Sequence, residues 1–192
     1  MRKLVVTQNI TIDGCIEMIT SWFDPTDQTP DLIEESHRQD STADALLLGR
    51  QTFEDFRGFW PHQQDDATGV TDYLNAVDKY VVTSTMTDPD WQNSSIIPGD
   101  DVLAGVRDLK NRDGQDIVVT GSITLTHALI TAGLVDEYRL FVYPAVQGRG
   151  RGLVPDGVEI PKLSLMQAKS FSNGVALLNY TPVDGAGGTG AA

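Results

Sequence analysis

DIVVTGSITL, residues 116–125, decides how the rest of this chain is read. Ile117-Val118-Val119 is a short β-branched run of the kind buried on both faces of a parallel sheet. The small pair Gly121-Ser122 closes it, and helical spacing follows to Ala132, with Gly133 as the stop. Strand, tight turn and helix in that order leave the helix's first N–H groups open, and a glycine lets a phosphate come close to the main chain. The spacing is not G-x-G-x-x-G, so the ordinary dinucleotide fingerprint is absent.

Two more junctions of this kind lie upstream. ALLL (45–48) is closed by Gly49, and RQTFE (50–54) opens a helix. Arg50 offers a charged, bidentate donor and Thr52 a hydroxyl. The same residues equally suit a glycine turn with a solvated arginine and a capping threonine. KYVVT (79–83) runs into Ser84-Thr85, giving three hydroxyls that suit either a ribose phosphate or the capping of a turn. Parallel strands ending at Gly49, Thr83 and Gly121 bring those ends to one side of a sheet, where α/β proteins bind ligands.

KLVVTQNITI (3–12) reads as a strand ending in the turn Asp13-Gly14. A loop carrying Trp22 and Pro25 leads to a helix over about residues 30–40, with Thr29 as cap, Pro30 at the first position and Asp31 in the first turn. Residues 57–69 read as a surface loop, and 100–112 as a helix with Val102, Leu103, Val106 and Leu109 on one face. Late strands are expected at 138–142 and 168–180, the second broken by the hairpin turn Ser172-Asn173-Gly174. The sum is one α/β domain over residues 1–183, with a mostly parallel sheet finished by an antiparallel hairpin and a Gly/Ala-rich tail, 184–192, expected to be disordered.

Composition agrees with a single domain of 192 residues. No apolar run approaches the roughly 20 residues that span a bilayer, so no membrane partner is expected. The net charge of −13 argues against nucleic acid, although a few arginines and helix N-termini still allow an anionic coenzyme. The one cysteine, Cys15, cannot form an internal disulfide, no Cys/His spacing suits a metal, and Met1-Arg2-Lys3 leads into a strand and not a signal peptide. The expected place is the cytoplasm.

TIDG (11–14), LLLGRQTFE (46–54), YVVTST (80–85), VVTGSITL (118–125) and GLVDEYRLFVYPAVQGRGRGL (133–153), in that order, resemble the dihydrofolate-reductase-like superfamily. Within it, the chain is more similar to the bacterial riboflavin-biosynthesis reductase (RibD C-terminal-like) domains, over residues 3–182. The resemblance implies a three-layer sandwich, NADPH as cofactor, a small-molecule substrate and a homodimer. It implies Gly49, Arg50 and Thr52 near the adenosine phosphates, Thr83 and Ser84 on the 2′-phosphate side, and Thr120, Gly121, Ser122, Ile123, Thr124 and Leu125 under the pyrophosphate. Thr7, Asp13 and Gly14 would lie near the nicotinamide.

The sequence also departs from the pattern. Dihydrofolate reductases place a carboxylate on the first helix, whereas ungapped counting back from Gly49 reaches Ile33. Glu34, one residue on, is the candidate catalytic acid; Asp31, His37 and Trp22 are candidate substrate contacts. The zinc-deaminase ligands fused to the riboflavin enzyme, H-x-E and P-C-x-x-C, are missing. Two readings remain: hydride transfer from NADPH to a C=N or C=O bond of a pterin- or pyrimidine-like molecule, or a nucleotide-binding module of the same fold without reductase activity.

Overall fold

The computed structural model describes residues 1–24, 28–64, 66–160 and 162–183. Pro25 and the 184–192 tail lie outside these residues. The elements are β1 (Leu4–Thr11), α1 (Pro30–Asp40), β2 (Ala43–Gly49), α2 (Arg50–Phe59), α3 (Val70–Ala76), β3 (Asp78–Thr83), β4 (Ser94–Pro98), α4 (Val102–Asn111), β5 (Asp116–Val119), α5 (Ile123–Thr131), β6 (Glu137–Tyr143), β7 (Leu163–Ser170) and β8 (Ala176–Pro182). The sheet order is β4-β3-β2-β5-β1-β6-β8-β7. The first six strands are mutually parallel, and β8 runs antiparallel between β6 and β7. This is the expected three-layer α/β sandwich with its C-terminal hairpin.

Alternation along each strand fills two helical layers. Ala45, Leu47, Ile117 and Val119 pack against Val106 and Leu109 of α4 and Leu125 and Leu129 of α5. On the opposite face, Leu46, Leu48 and Val81 meet Phe53 of α2 and Leu74 of α3. Leu32 of α1 meets Phe141, Tyr143 and Leu177 on that same face. Gly133 stops α5 as expected: at φ +63 it lets its own N–H reach the Ile130 carbonyl and that of Leu134 the Leu129 carbonyl, 3.0 and 3.1 Å away.

Two features differ from the sequence reading. Residues 57–59 continue α2 and Trp60–His62 form a 3-10 turn, so the loop is shorter than 57–69. The cause is aromatic: Trp60 packs edge-on against Phe59 and joins the α2 cluster. The short elements α3 and β4 carried too few periodic residues to be read. Strand 138–142 is interior, between β1 and β8. Among the described residues no helix is long and apolar enough to cross a membrane, and no group of His, Cys, Asp and Glu side chains could hold a metal ion.

Candidate active site

The C-terminal ends of β4, β3, β2 and β5 lie side by side, and three glycines there meet three hydroxyl residues. A Cβ on Gly49 would overlap the Ser122 side chain, one on Gly99 would overlap Ser84, and one on Gly121 would lie 2.9 Å from Thr52 Cγ2. Gly49 has φ −75, so glycine is needed there for space alone; Gly121 at φ +70 needs it for conformation as well. Ser122 holds a left-handed φ of +60 that costs a non-glycine residue energy, a strain concentrated at functional sites.

Gly49 and Ser122 are the N-caps of α2 and α5, and neither helix has a side-chain cap. Two helix N-termini, each with unpaired N–H groups and the positive end of a dipole, therefore converge on one turn. The hydroxyls of Thr52, Ser84, Thr120, Ser122 and Thr124 have no partner among the described residues. Arg50 stands at the entrance, half-exposed, its Nη1 donating to Glu54 at 2.8 and 3.1 Å. Thr83 is turned inward instead: its Oγ1 accepts from the N–H groups of Thr85 and Met86, so it shapes the turn. The Leu125 side chain belongs to the core, which leaves only its main chain for a ligand; Ile123 is half-buried.

Beside this turn a groove crosses the sheet. α1 covers β6 and β8, while α2 and α3 cover β2 and β3. Between them central strand β1 presents Thr7 and Asn9, half-buried and without side-chain hydrogen bonds, where a central parallel strand ordinarily carries buried apolar residues. Val6 pairs with Val119, so Thr7 lies level with Thr120 and the groove adjoins the Gly121 turn. Asn9 was not read as a site residue; a polar residue at period two within an apolar strand was the signal.

Over the groove, the turn after β1 is fastened to the loop after β6. Asp13 accepts from Thr11 Oγ1 at 2.5 Å and from the N–H groups of Gly148 and Gln147 at 2.6 and 3.2 Å, which hold its carboxyl at about 2. Gly14, at φ +82, accepts from the Leu153 N–H, and Cys15 bridges to Gly152. Gln147, absent from the sequence reading, joins the two segments. Its Nε2 donates to the Glu17 carbonyl at 2.8 Å and to Cys15 Sγ at 2.9 Å; its Oε1 accepts from Trp22 Nε1 at 3.0 Å. Trp22 packs edge-on against Tyr143, ring centroids 5.4 Å apart.

The acids of α1 fall differently from expectation. Glu34 is exposed, and the glutamate that turns inward is Glu35, 1% exposed. Helical rotation explains the exchange, since Leu32, Glu35 and Gln39 share the buried face. Burial pushes the Glu35 carboxyl up, but hydrogen bonds from Arg38, Gln39 (3.1 Å) and Lys169 (3.0 Å) outweigh it and hold it at about 2. Glu35 is thus a fixed anion and no proton source at neutral pH. Asp31 accepts from Ser172 N and Oγ at 2.8 and 3.0 Å, tying α1 to the hairpin turn. His37 donates from Nε2 to the Thr68 carbonyl at 2.5 Å, linking α1 to the loop before α3.

The model of the RibD C-terminal domain family matches residues 2–177. The uncharacterized protein YyaP of Bacillus subtilis (strain 168) is 30% identical over 181 residues, covering 93% of this chain and 94% of that protein. A pyrimidine reductase-like protein from Corynebacterium diphtheriae superposes with a TM-score of 0.68 at 13% identity, covering 95% of this chain and 92% of that one. A diaminohydroxyphosphoribosylaminopyrimidine deaminase/5-amino-6-(5-phosphoribosylamino)uracil reductase from Thermotoga maritima gives 0.65 at 17% identity, with 95% of this chain covering 57% of that protein.

Proposed function

This chain belongs to the RibD C-terminal domain family, and from that premise we propose that it is an NADPH-dependent reductase acting on a C=N or C=O bond of a small heterocyclic molecule. The observation that carries the reading is the convergence of two uncapped helix N-termini on the Gly49–Gly121–Ser122 turn, with free hydroxyls around it. This cradle fits a dinucleotide pyrophosphate, because glycine leaves room for the phosphate and the N–H groups donate to it. Ser84 and Arg50 suit the 2′-phosphate, Arg50 by exchanging its exposed Glu54 partner for a phosphate.

NADPH, when bound, supplies a hydride, and NADP+ is the product. Thr7 and Asn9 offer hydrogen bonds that orient the acceptor beside the turn. The loop held by Asp13 and Gln147 covers one end of the groove and leaves the other open to solvent. Since Glu35 is held ionised by three donors, the proton that completes the reduction on nitrogen or oxygen comes from solvent through the open groove.

A coenzyme titration followed by loss of NADPH absorbance with a panel of imines and carbonyl compounds tests the reading. Micromolar NADPH binding with oxidation of the coenzyme is expected. Binding without turnover of any compound favours the nucleotide-binding module, and absence of binding removes both. We also propose a homodimer, through edge strand β7, whose Leu165 and Met166 are 53% and 65% exposed beside unpaired backbone groups. Light scattering is expected to give twice the 20.9 kDa chain mass; a concentration-independent monomer refutes it.

A further inference from the structure

We propose that the compound reduced in this groove is an unphosphorylated, flat nitrogen heterocycle of about one ring, neutral or cationic; the proposal rests on the reductase reading. The helix that opens at this groove is α1, and its N-terminus already holds a carboxylate. Asp31 Oδ1 accepts from Leu32 N at 3.1 Å and from Ser172 Oγ, while Oδ2 accepts from Ser172 N. A substrate phosphate brought there would meet a fixed negative charge in place of free N–H groups.

The cations tell the same story. All 14 lysines and arginines lie within the described residues, and nine of them are paired with carboxylates. Around the groove, Arg38 and Lys169 are bound to Glu35, and Arg139 to Glu137 and Asp116. Lys79 donates to the Leu74 and Val77 carbonyls and Arg57 to that of Pro89. The side chains of Arg107, Arg149 and Lys162 have no partner among the described residues. Arg107 lies on α4, behind the sheet, and Lys162 lies at the start of β7, next to the end of β8 and away from the C-terminal strand ends. Arg149 alone stands in the loop over the groove.

What the groove does offer is flat and polar, with Arg149 in the covering loop as its one unpaired cation among the described residues. A cavity of about 190 Å³ is lined by Trp22, Tyr143, Pro144, Asn173 and Asp24 among others. Tyr143 pairs with Thr11 and faces the same side of the sheet as Asn9, so the cavity continues the groove. Drug-sized ligands fill roughly 300–1,000 Å³, so this volume suits a single ring, stacked on Trp22 and hydrogen-bonded by an amide. The phosphoribosyl compound named for the Thermotoga relative carries a phosphate that would meet one unpaired cation here, Arg149, and the fixed carboxylate of Asp31.

The test uses the uniformly isotope-labelled full chain, saturated with NADP+, and two probes: triaminopyrimidine and ribose 5-phosphate. The Trp22 indole signal, assigned by its disappearance in Trp22→Phe, is the readout. A shift with triaminopyrimidine at a Kd of about 1 mM or below, and binding of ribose 5-phosphate at least about ten-fold weaker, is expected. Comparable ribose 5-phosphate binding, with or without dependence on Arg149 in Arg149→Ala, overturns the proposal, as does the absence of any response to triaminopyrimidine. Saturation with NADP+ is read separately from the Gly121 amide, so a failure there marks failure of the reductase reading and is not mistaken for failure of the substrate class.

Discussion

On the β4-β3-β2-β5 side of the sheet, glycines end or follow the strands and the hydroxyls of Thr52, Ser84 and Ser122 beside them bond to nothing in the described chain; on the β6-β8-β7 side, Glu35, Asp31 and Gln147 are committed to several partners. Gly49, Gly99 and Gly121 leave space, and Thr52, Ser84 and Ser122 line it. Across the central strand, Glu35, Asp31 and Gln147 each bind several donors or acceptors from distant segments. Shape makes the first region and connection makes the second. Substitutions in the first should therefore alter ligand binding, and those in the second should alter stability.

The largest expected effect is at Gly121. In Gly121→Val a side chain at φ +70 meets Thr52 and fills the space above two helix N-termini. NADPH affinity is expected to fall by more than about 100-fold, or roughly 2.7 kcal/mol. Measuring Kd together with the melting temperature breaks or keeps the contrast. A variant that melts early but binds NADPH like the parent makes the turn a structural feature only.

Glu35→Ala tests the other side. It leaves Lys169, Arg38 and Gln39 without their common acceptor, and loss of one partner in such a buried charged cluster costs about 3 kcal/mol. With its carboxyl near 2 in the folded chain and near 4.5 unfolded, Glu35 stabilises above about pH 4.5, and that contribution is lost as pH falls toward 2. Denaturant unfolding at neutral and acid pH should show a large loss that shrinks on the acid side. An unchanged midpoint at neutral pH contradicts the contrast.

The same contrast explains what was legible. GSITL after IVV and GR after LLL are local patterns in which the strand-end glycine and the helix start are neighbours in sequence, so the strand–turn–helix junctions on this side could be read from residue type and order. The groove side was not legible, because its partners are far apart: Lys169 lies 134 residues from Glu35, and Gln147 lies 125 from Trp22. Glu34 and Glu35 differ only by a 100° step around α1, and counting could not choose between them. Thr83 stayed open for another reason: a hydroxyl at a strand end serves a ligand or a turn equally well until its distance to Thr85 N and Met86 N is known.

Arg50→Ala sharpens the comparison at its edge. Its partner Glu54 is a half-exposed neighbour one turn away, an ion pair worth only a few tenths of a kcal/mol, so stability should hardly change. NADPH affinity should drop by about ten- to a hundred-fold with little effect on NADH, the loss of a charge-assisted contact of roughly 1.5–3 kcal/mol. Equal losses for both coenzymes would move Arg50 away from the 2′-phosphate.

The smallest effect concerns Asp40, the last residue of α1, whose carboxyl stands on the connected side without a hydrogen bond among the described residues. Tyr73 Oη and Arg139 Nη1, which also face this gap between α1, α3 and β6, are buried without partners among the described residues. Burial pushes the Asp40 carboxyl up to about 6, against the opposing influence of His37, and the negative end of the helix dipole favours the same neutral form. Unfolded, the group titrates near 3.9. Between those values the folded chain holds a proton that the unfolded chain has released, so stability falls as pH rises through the window. Asp40 therefore costs stability above about pH 6 and nothing below about pH 4. Taken in full, the shift would be worth nearly 3 kcal/mol, but partial solvent access reduces it to about 1 kcal/mol. Asp40→Asn removes the charge and keeps the shape, so it should raise the melting temperature by about 2–4 °C at pH 7.5 and leave it unchanged at pH 4. An equal gain at both pH values would mean that packing and not ionisation is responsible. No gain at either would mean that Asp40 is as well served as its neighbours, and that the two sides of the sheet differ less than their hydrogen bonds indicate.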